Sequence, residues 1–363
     1  MQTNYTIIGG GVIGLSIAYY LLKLNKQVTV FTANAKTTAS LAAGGMLGGQ
    51  NEFSEPSPLF DLALESRELH KTLATELHAL TGIDVELLPT GLLKVAATEQ
   101  DHAFLHKQYQ FLQQQPGTPV YWRDACEVEP LLTNELGQAL HITADHQVKA
   151  RQLTKALAVA IQKLGATIIN EQVQAVTANY ITTLTTSYRY QHIIIAAGAW
   201  SQKLLPQLPM YPVKGECLML KAQEMPKTTI FAADGCYIVP KKNNEILIGA
   251  TSYPNQMNDG VTAGGIQSLL ARAIAMMPSL KYAHIIETWC GVRPQTIDEL
   301  PIIGPLSSNQ YVCTGHYRNG ILLSAITGKL VAQALTGDTL AQQRLAAFSP
   351  QRFKEGRMNA VND

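Results

Sequence analysis

The strongest constraint on this chain is a glycine cluster set between a short strand and an amphipathic helix. Thr6 to Ile8 reads as a strand, Gly9, Gly10 and Gly11 turn the chain, and Val12 to Leu24 carries apolar residues at helical spacing through Ile13, Ile17, Tyr20, Leu21 and Leu24. Val28 to Phe31 reads as a second strand. This order places Gly9-x-Gly11-x-x-Gly14 where a dinucleotide fingerprint must sit, after a strand and at the start of a helix. Gly9 permits the tight turn, Gly11 lets the backbone approach a pyrophosphate, and Gly14 lets the helix pack closely on the strand. The helix N-terminus favours the anion. An acidic residue normally follows at the end of the second strand to hold the ribose, but Val30-Phe31-Thr32-Ala33-Asn34 puts Thr32 there. A hydroxyl holds a ribose more weakly than a carboxylate.

The apolar stretch Tyr5 to Leu22 raises the question of a signal peptide or membrane anchor. No Lys or Arg precedes it and three glycines interrupt it, so neither is expected. At 363 residues the chain is expected to form two domains. With 46% hydrophobic and only 15% charged residues, it calls for large cores and leaves apolar surface for a subunit interface. A net charge of +1 without a basic run lacks the electrostatic footprint of a nucleic-acid binder, so a small-molecule partner is expected. Cys126, Cys217, Cys236, Cys290 and Cys313 are odd in number and widely spaced, which suggests neither a disulfide framework nor a zinc site and points to the cytoplasm. His102 and His106 lie four apart on a helical stretch but have no third ligand near, so no metal site is expected.

Further along, Leu59 to Leu80 reads as a long amphipathic helix, Val85 to Ala97 as two short strands around Pro89 and Gly91, and Gln100 to Gln115 as a helix ended by Pro116-Gly117. Ala150 to Leu164 is helical, Ala166 to Asn170 a strand, and the apolar run 191–198 a central parallel strand ending at Gly198. From Tyr211 to Cys290 the texture turns to alternating strands, with a hairpin of Tyr237 to Pro240 and Glu245 to Thr251 turning at Asn243-Asn244. Ile321 to Leu335 reads as a closing helix and the tail from Ser349 as frayed. The expected fold class is α/β: a dinucleotide-binding Rossmann-type domain formed by 1–84, 145–210 and 291–348, a second α+β substrate domain with a large antiparallel sheet formed by 85–144 and 211–290, and a tail 349–363.

Tyr5 to Gly14, 42–47, 213–217, 236–240, 291–294 and 316–321 together resemble, in unchanged order, the glycine oxidases of the thiamine pathway, which belong to the D-amino-acid oxidase superfamily. The resemblance implies FAD, oxidative deamination of glycine and other small amines such as sarcosine and small D-amino acids, oxygen as electron acceptor, and a homo-oligomer, commonly a tetramer. It puts Gly9, Gly11, Val12, Ile13, Gly14, Thr32, Ala33, Ala39, Ser40, Gly44, Gly45 and Met46 around the cofactor, with Gly198 joining that set and Val173 on the adenine side. The loop His316, Tyr317, Arg318, Asn319, Gly320, Ile321 and Leu322 would lie beside the isoalloxazine, and Arg293, Arg318 and Tyr237 would face the substrate. The segment between Thr37 and Met46 departs from the family pattern by about two extra residues.

Physical chemistry offers roles for the same residues. A planar guanidinium can hold an amino-acid carboxylate by two parallel hydrogen bonds, a role for Arg293 unless it forms an interdomain ion pair. Tyr237 either shares that carboxylate through its O–H or is core, and Met46 either walls a small pocket or fills core. Loop N–H groups and a helix N-terminus after Gly315 would stabilise a reduced flavin ring. Gln295 to Glu299 contains no cysteine of the kind that anchors FAD in the sarcosine oxidases, so the flavin is expected to be non-covalent. Competing readings are a dehydrogenase that passes electrons to a quinone or protein acceptor, a non-catalytic flavin-binding subunit, and a nicotinamide dehydrogenase.

Overall fold

The glycine turn opens a parallel sheet in the computed structural model, which describes residues 4–33, 37–115, 117 and 119–353. Strand β1 (Asn4–Ile8), helix α1 (Val12–Lys23) and strand β2 (Gln27–Phe31) form the expected βαβ unit, with β1 and β2 parallel and in register from Asn4–Gln27 to Ile8–Phe31. The six-stranded sheet runs in the order Ile302–Pro305, Gln310–Thr314, His192–Ile195, β1, β2, Thr167–Ile169. All its pairings are parallel except that of the first two. His192–Ile195 pairs on both edges and its three isoleucines are fully buried, as a continuous apolar run requires. The apolar stretch from Tyr5 is thus divided into a strand and a helix of 12 residues, and no helix among the described residues is long and apolar enough to cross a membrane.

The chain leaves this sheet, returns, and leaves again. The second, nine-stranded sheet is built around Met210–Lys221, which pairs antiparallel with Glu245–Gly249 and with His284–Thr296. The hairpin Tyr237–Lys241 and Glu245–Gly249 turns where Asn243 and Asn244 take φ of 61° and 56°, left-handed values that Asn tolerates. His284–Thr296 runs unbroken through 290–291, so Arg293 stands on the antiparallel sheet.

Three local expectations change. Val85 to Ala97 holds one strand, Leu92–Val95, while Leu88 makes only an isolated bridge to Gln147, because Pro89 has no N–H to extend a ladder. Within 211–290 lies an unexpected helix, Ala263–Met276. Its opening glycines weaken the helical signal, yet Gly265 is needed, since a Cβ there would lie 1.9 Å from Glu216 Oε2. The tail is packed through Phe353, which lies against a buried cluster, and Arg352 pairs with Asp298 at 2.8 Å. Residues 354–363, like Asn34 and Pro116, lie outside the described residues.

Candidate active site

A cavity of about 780 Å³ is lined by residues of both sheets. Its wall on the parallel side begins at the glycine turn. Gly9 has φ of 125°, and a Cβ there would lie 2.2 Å from Ala196 O, while a Cβ on Gly14 would lie 2.0 Å from Gly9 O. Only glycine fits both positions, so backbone rather than side chain faces the cavity. Helix α1 has Gly11 as N-cap and no acidic residue in its first turn, and Val12 N donates to Ser40 Oγ at 2.9 Å. The helix Gly320–Leu335 also begins at the cavity, with no side-chain cap from Asn319 and no acidic residue in its first turn. Two helix N-termini without a compensating carboxylate of their own therefore direct positive potential into one cavity.

The antiparallel side supplies the polar groups. Arg293 makes no ion pair among the described residues, and its guanidinium reaches only Thr251 O, at 3.3 Å. Room for it comes from Gly215 on the paired strand, where a Cβ would lie 2.4 Å from Nη2. Gly249 does the same for Tyr237, with a Cβ 2.5 Å from its hydroxyl. The Tyr237 ring stacks on Phe231 at 6.0 Å between centroids, and its hydroxyl lies 3.7 Å from Cys217 Sγ. Burial, reinforced by Cys217, pushes the Tyr237 phenol well above its ordinary value despite the opposing pull of Arg293 and Arg318. It therefore stays an O–H donor at neutral pH. Arg318 pairs with Glu52, Nε to Oε2 at 3.4 Å, and its guanidinium lies 5.8 Å from the centre of the Phe231 ring.

The family model for FAD dependent oxidoreductases (DAO) matches residues 4–334. The chain belongs to the DAO family of FAD-dependent oxidoreductases. It is 42% identical to the glycine oxidase of Geobacillus kaustophilus (strain HTA426), over 96% of this chain and 97% of that one. The crystal structure of glycine oxidase from Geobacillus kaustophilus matches with a TM-score of 0.90 at 41% identity, covering 96% of this chain and 98% of that one. A bifunctional protein ThiO/ThiG of Trichormus variabilis is 33% identical over 98% of this chain and 56% of its own length.

The cradle fits the cofactor of this DAO family member. Of the residues expected around FAD, Gly9, Gly11, Val12, Ile13, Thr32, Ala33, Ala39, Ser40, Gly44, Gly45, Met46, Val173 and Gly198 line the cavity, and so do His316, Tyr317, Arg318, Asn319, Gly320 and Ile321. Gly14 and Leu322 do not. Gly14 serves the packing of α1 on the turn, and Leu322 is buried in the core one residue past the lining. Arg293 and Tyr237 line the same cavity. Met46 is half-buried and lines it too, although it also packs against the core. His316 carries no charge there, since burial holds its imidazole down at about 3. Among the described residues no group of three His, Cys, Asp or Glu side chains assembles for a metal, and His106 packs against the rings of Tyr109 and Trp122.

Thr32 lines the cavity against Gly10, where a Cβ would lie 2.3 Å from the Thr32 hydroxyl. Among the described residues its hydroxyl makes a 3.4 Å hydrogen bond to Ala33 O, which leaves its lone pairs to accept from a ribose hydroxyl. Thr32→Glu is expected to lower the FAD dissociation constant roughly tenfold, because a charged acceptor is worth about 1.5 to 3 kcal/mol against about 1 for a neutral one. Equal constants for the two proteins, measured by fluorescence titration, would remove Thr32 from the ribose site.

Several supporting residues gave no clear signal in the sequence. Lys241 ends an apolar strand, yet it is buried and donates to Gly44 O at 2.8 Å, Gln147 Oε1 at 2.7 Å and Val148 O at 3.0 Å, fixing the turn that carries Gly44 to Met46. His70 Nε2 lies 3.0 Å and 3.1 Å from Ile321 O and Leu322 O, steadying the first turn of the second cavity helix. Burial pushes Lys241 down to about 7, above which the neutral amine donates two of its three bonds. Between that value and the ordinary lysine range the unfolded chain binds a proton at this site that the folded chain does not, so Lys241 makes stability rise with pH there and lowers it as pH falls toward 7. The melting temperature of the native protein relative to Lys241→Met is therefore expected to climb from pH 7 to pH 9 in a thermal-shift series. A constant difference would show that Lys241 does not change protonation on unfolding.

Proposed function

We propose that this chain carries out FAD-dependent oxidative deamination of glycine and other small amines, including sarcosine and small D-amino acids. The products are the oxoacid, ammonia or an amine, and hydrogen peroxide, in the service of thiamine biosynthesis. One observation carries the reading: an arginine without an ion-pair partner among the described residues and a protonated tyrosine face the cavity that the glycine cradle and two helix N-termini also line. FAD, when bound, supplies the two-electron acceptor that oxygen regenerates. Arg293 grips the substrate carboxylate, Tyr237 donates a hydrogen bond to it, and Met46 limits the space for a side chain. The amine is thereby held in one orientation, and alignment is what oxidation of a neutral amine requires of the protein.

The same reading assigns 1–84, 145–210 and 291–348 to the FAD-binding domain and 85–144 and 211–290 to the substrate domain, with Arg293 reaching the substrate from a strand they share. The exposed run Tyr282, Ile285 and Ile286 supports a homo-oligomer, expected to be a tetramer. Five free thiols support the cytoplasm.

Peroxide release under air, measured with glycine, sarcosine, D-alanine and a carboxylate-free amine, tests the proposal. The three amino acids should react and the simple amine should not. Turnover with a quinone or dye acceptor but no peroxide would replace the oxidase by the dehydrogenase. Acid precipitation should leave the flavin in the supernatant.

A further inference from the structure

Two guanidinium groups face the cavity, and they differ in one respect. Both line the cavity together with Tyr237. Arg293 has no carboxylate partner among the described residues, whereas Arg318 has Glu52, with Nε to Oε2 at 3.4 Å and Nη2 to Oε1 at 3.5 Å. Glu52 itself lines the cavity and is mostly buried, at 16% side-chain exposure, while Arg318 retains 43%. The acid is thus the fixed member of the pair and the arginine the accessible one.

The loop that carries Glu52 is held on several sides by buried polar groups. Asp145 accepts from the amides of Gln50 and Asn51 and is itself paired with Arg67 at 2.8 Å. Lys94 Nζ donates to Asn51 O at 3.0 Å, and Gln108 Nε2 donates to the same oxygen at 2.8 Å. Asn51 Nδ2 donates to Glu52 Oε1 at 3.2 Å, aiming the carboxylate. Such a network commits many buried polar groups to setting one backbone turn, and only Glu52 among the residues after Gly48 on that turn reaches the cavity.

We propose that Glu52 is a specificity-determining residue: by neutralising Arg318 it leaves Arg293 as the guanidinium free to take a carboxylate and restricts the site to amines with one carboxylate. This rests on the proposed amine oxidation. A substrate bearing a second carboxylate meets the Glu52 oxygens where it would need a free guanidinium, and like charges at close range are rejected. Without Glu52, Arg318 is an unpaired fork beside the aromatic face of Phe231, suited to planar, bidentate capture of a second carboxylate.

The test compares holoenzymes carrying native Glu52, Glu52→Gln, and Glu52→Gln combined with Arg318→Gln. Substrates are paired so that each pair differs by a carboxylate: sarcosine with iminodiacetate, and D-alanine with D-aspartate. Glu52→Gln is expected to raise the kcat/KM ratio of diacid to monoacid roughly ten- to hundredfold in at least one pair. The double variant should return the ratio to its native value. A second readout needs no turnover: dissociation constants of acetate, malonate and succinate, read from the perturbed flavin absorbance, should shift toward the dicarboxylates in Glu52→Gln only. Absence of turnover of all four amines by the native holoenzyme would overturn amine oxidation while the ligand series still decides the role of Glu52. If Glu52→Gln lowers the melting temperature and weakens monoacids and diacids equally, the pair is a loop tether and the inference fails.

Discussion

Arg293→Ala is expected to leave the fold and the flavin spectrum intact while kcat/KM for glycine or sarcosine falls by roughly two to four powers of ten. The substitution removes a charge-assisted, bidentate grip on the substrate in a desolvated site, worth roughly 3 to 5 kcal/mol. The fold should survive because Arg293 supports no ion pair among the described residues and gives up only a 3.3 Å hydrogen bond to Thr251 O. Lysine at this position should rescue partly, since a point charge cannot reproduce the two-pronged geometry. A carboxylate-free amine should be a poor substrate for the native protein and lose little further in the variant. Near-normal turnover by a variant that unfolds more readily would make Arg293 a structural residue. The carboxylate clamp would then pass to Arg318, which would have to part from Glu52.

The second large effect is expected at Gly14, which touches no cavity surface. A methyl there would sit 2.0 Å from Gly9 O, a backbone atom of the turn and not a side chain that can swing aside. Helix α1 must lift away from β1, and overpacking of this kind costs about 1 to 3 kcal/mol or more. Lifting the helix also moves its N-terminus, which faces the cavity through Gly11, Val12 and Ile13. Gly14→Ala is therefore expected to melt several degrees lower and to be purified with most of its flavin missing. Calorimetry and the ratio of flavin to protein absorbance measure the two effects. A variant with native melting and full flavin would show that the turn can open freely.

Local features were legible along the chain. The βαβ unit was legible because its glycines mark close approaches between residues five apart and its apolar spacing reports one helix face. The hairpin at Asn243-Asn244 was legible because left-handed backbone conformations select Asn within the turn itself. Arg293 and Tyr237 could be singled out by type and by family resemblance, and both line one cavity. Which charges are buried and whom they meet is set by the assembled fold. Lys241 and Glu52 read as ordinary polar residues in the chain, and Glu52 meets its partner Arg318 across a separation of 266 residues. The room that Gly215 and Gly249 leave for the arginine and tyrosine is equally invisible along the chain, because it exists only between paired strands. A buried charge is tolerated only where partners from other segments satisfy it, so its role is a property of the assembled fold and has no local signature.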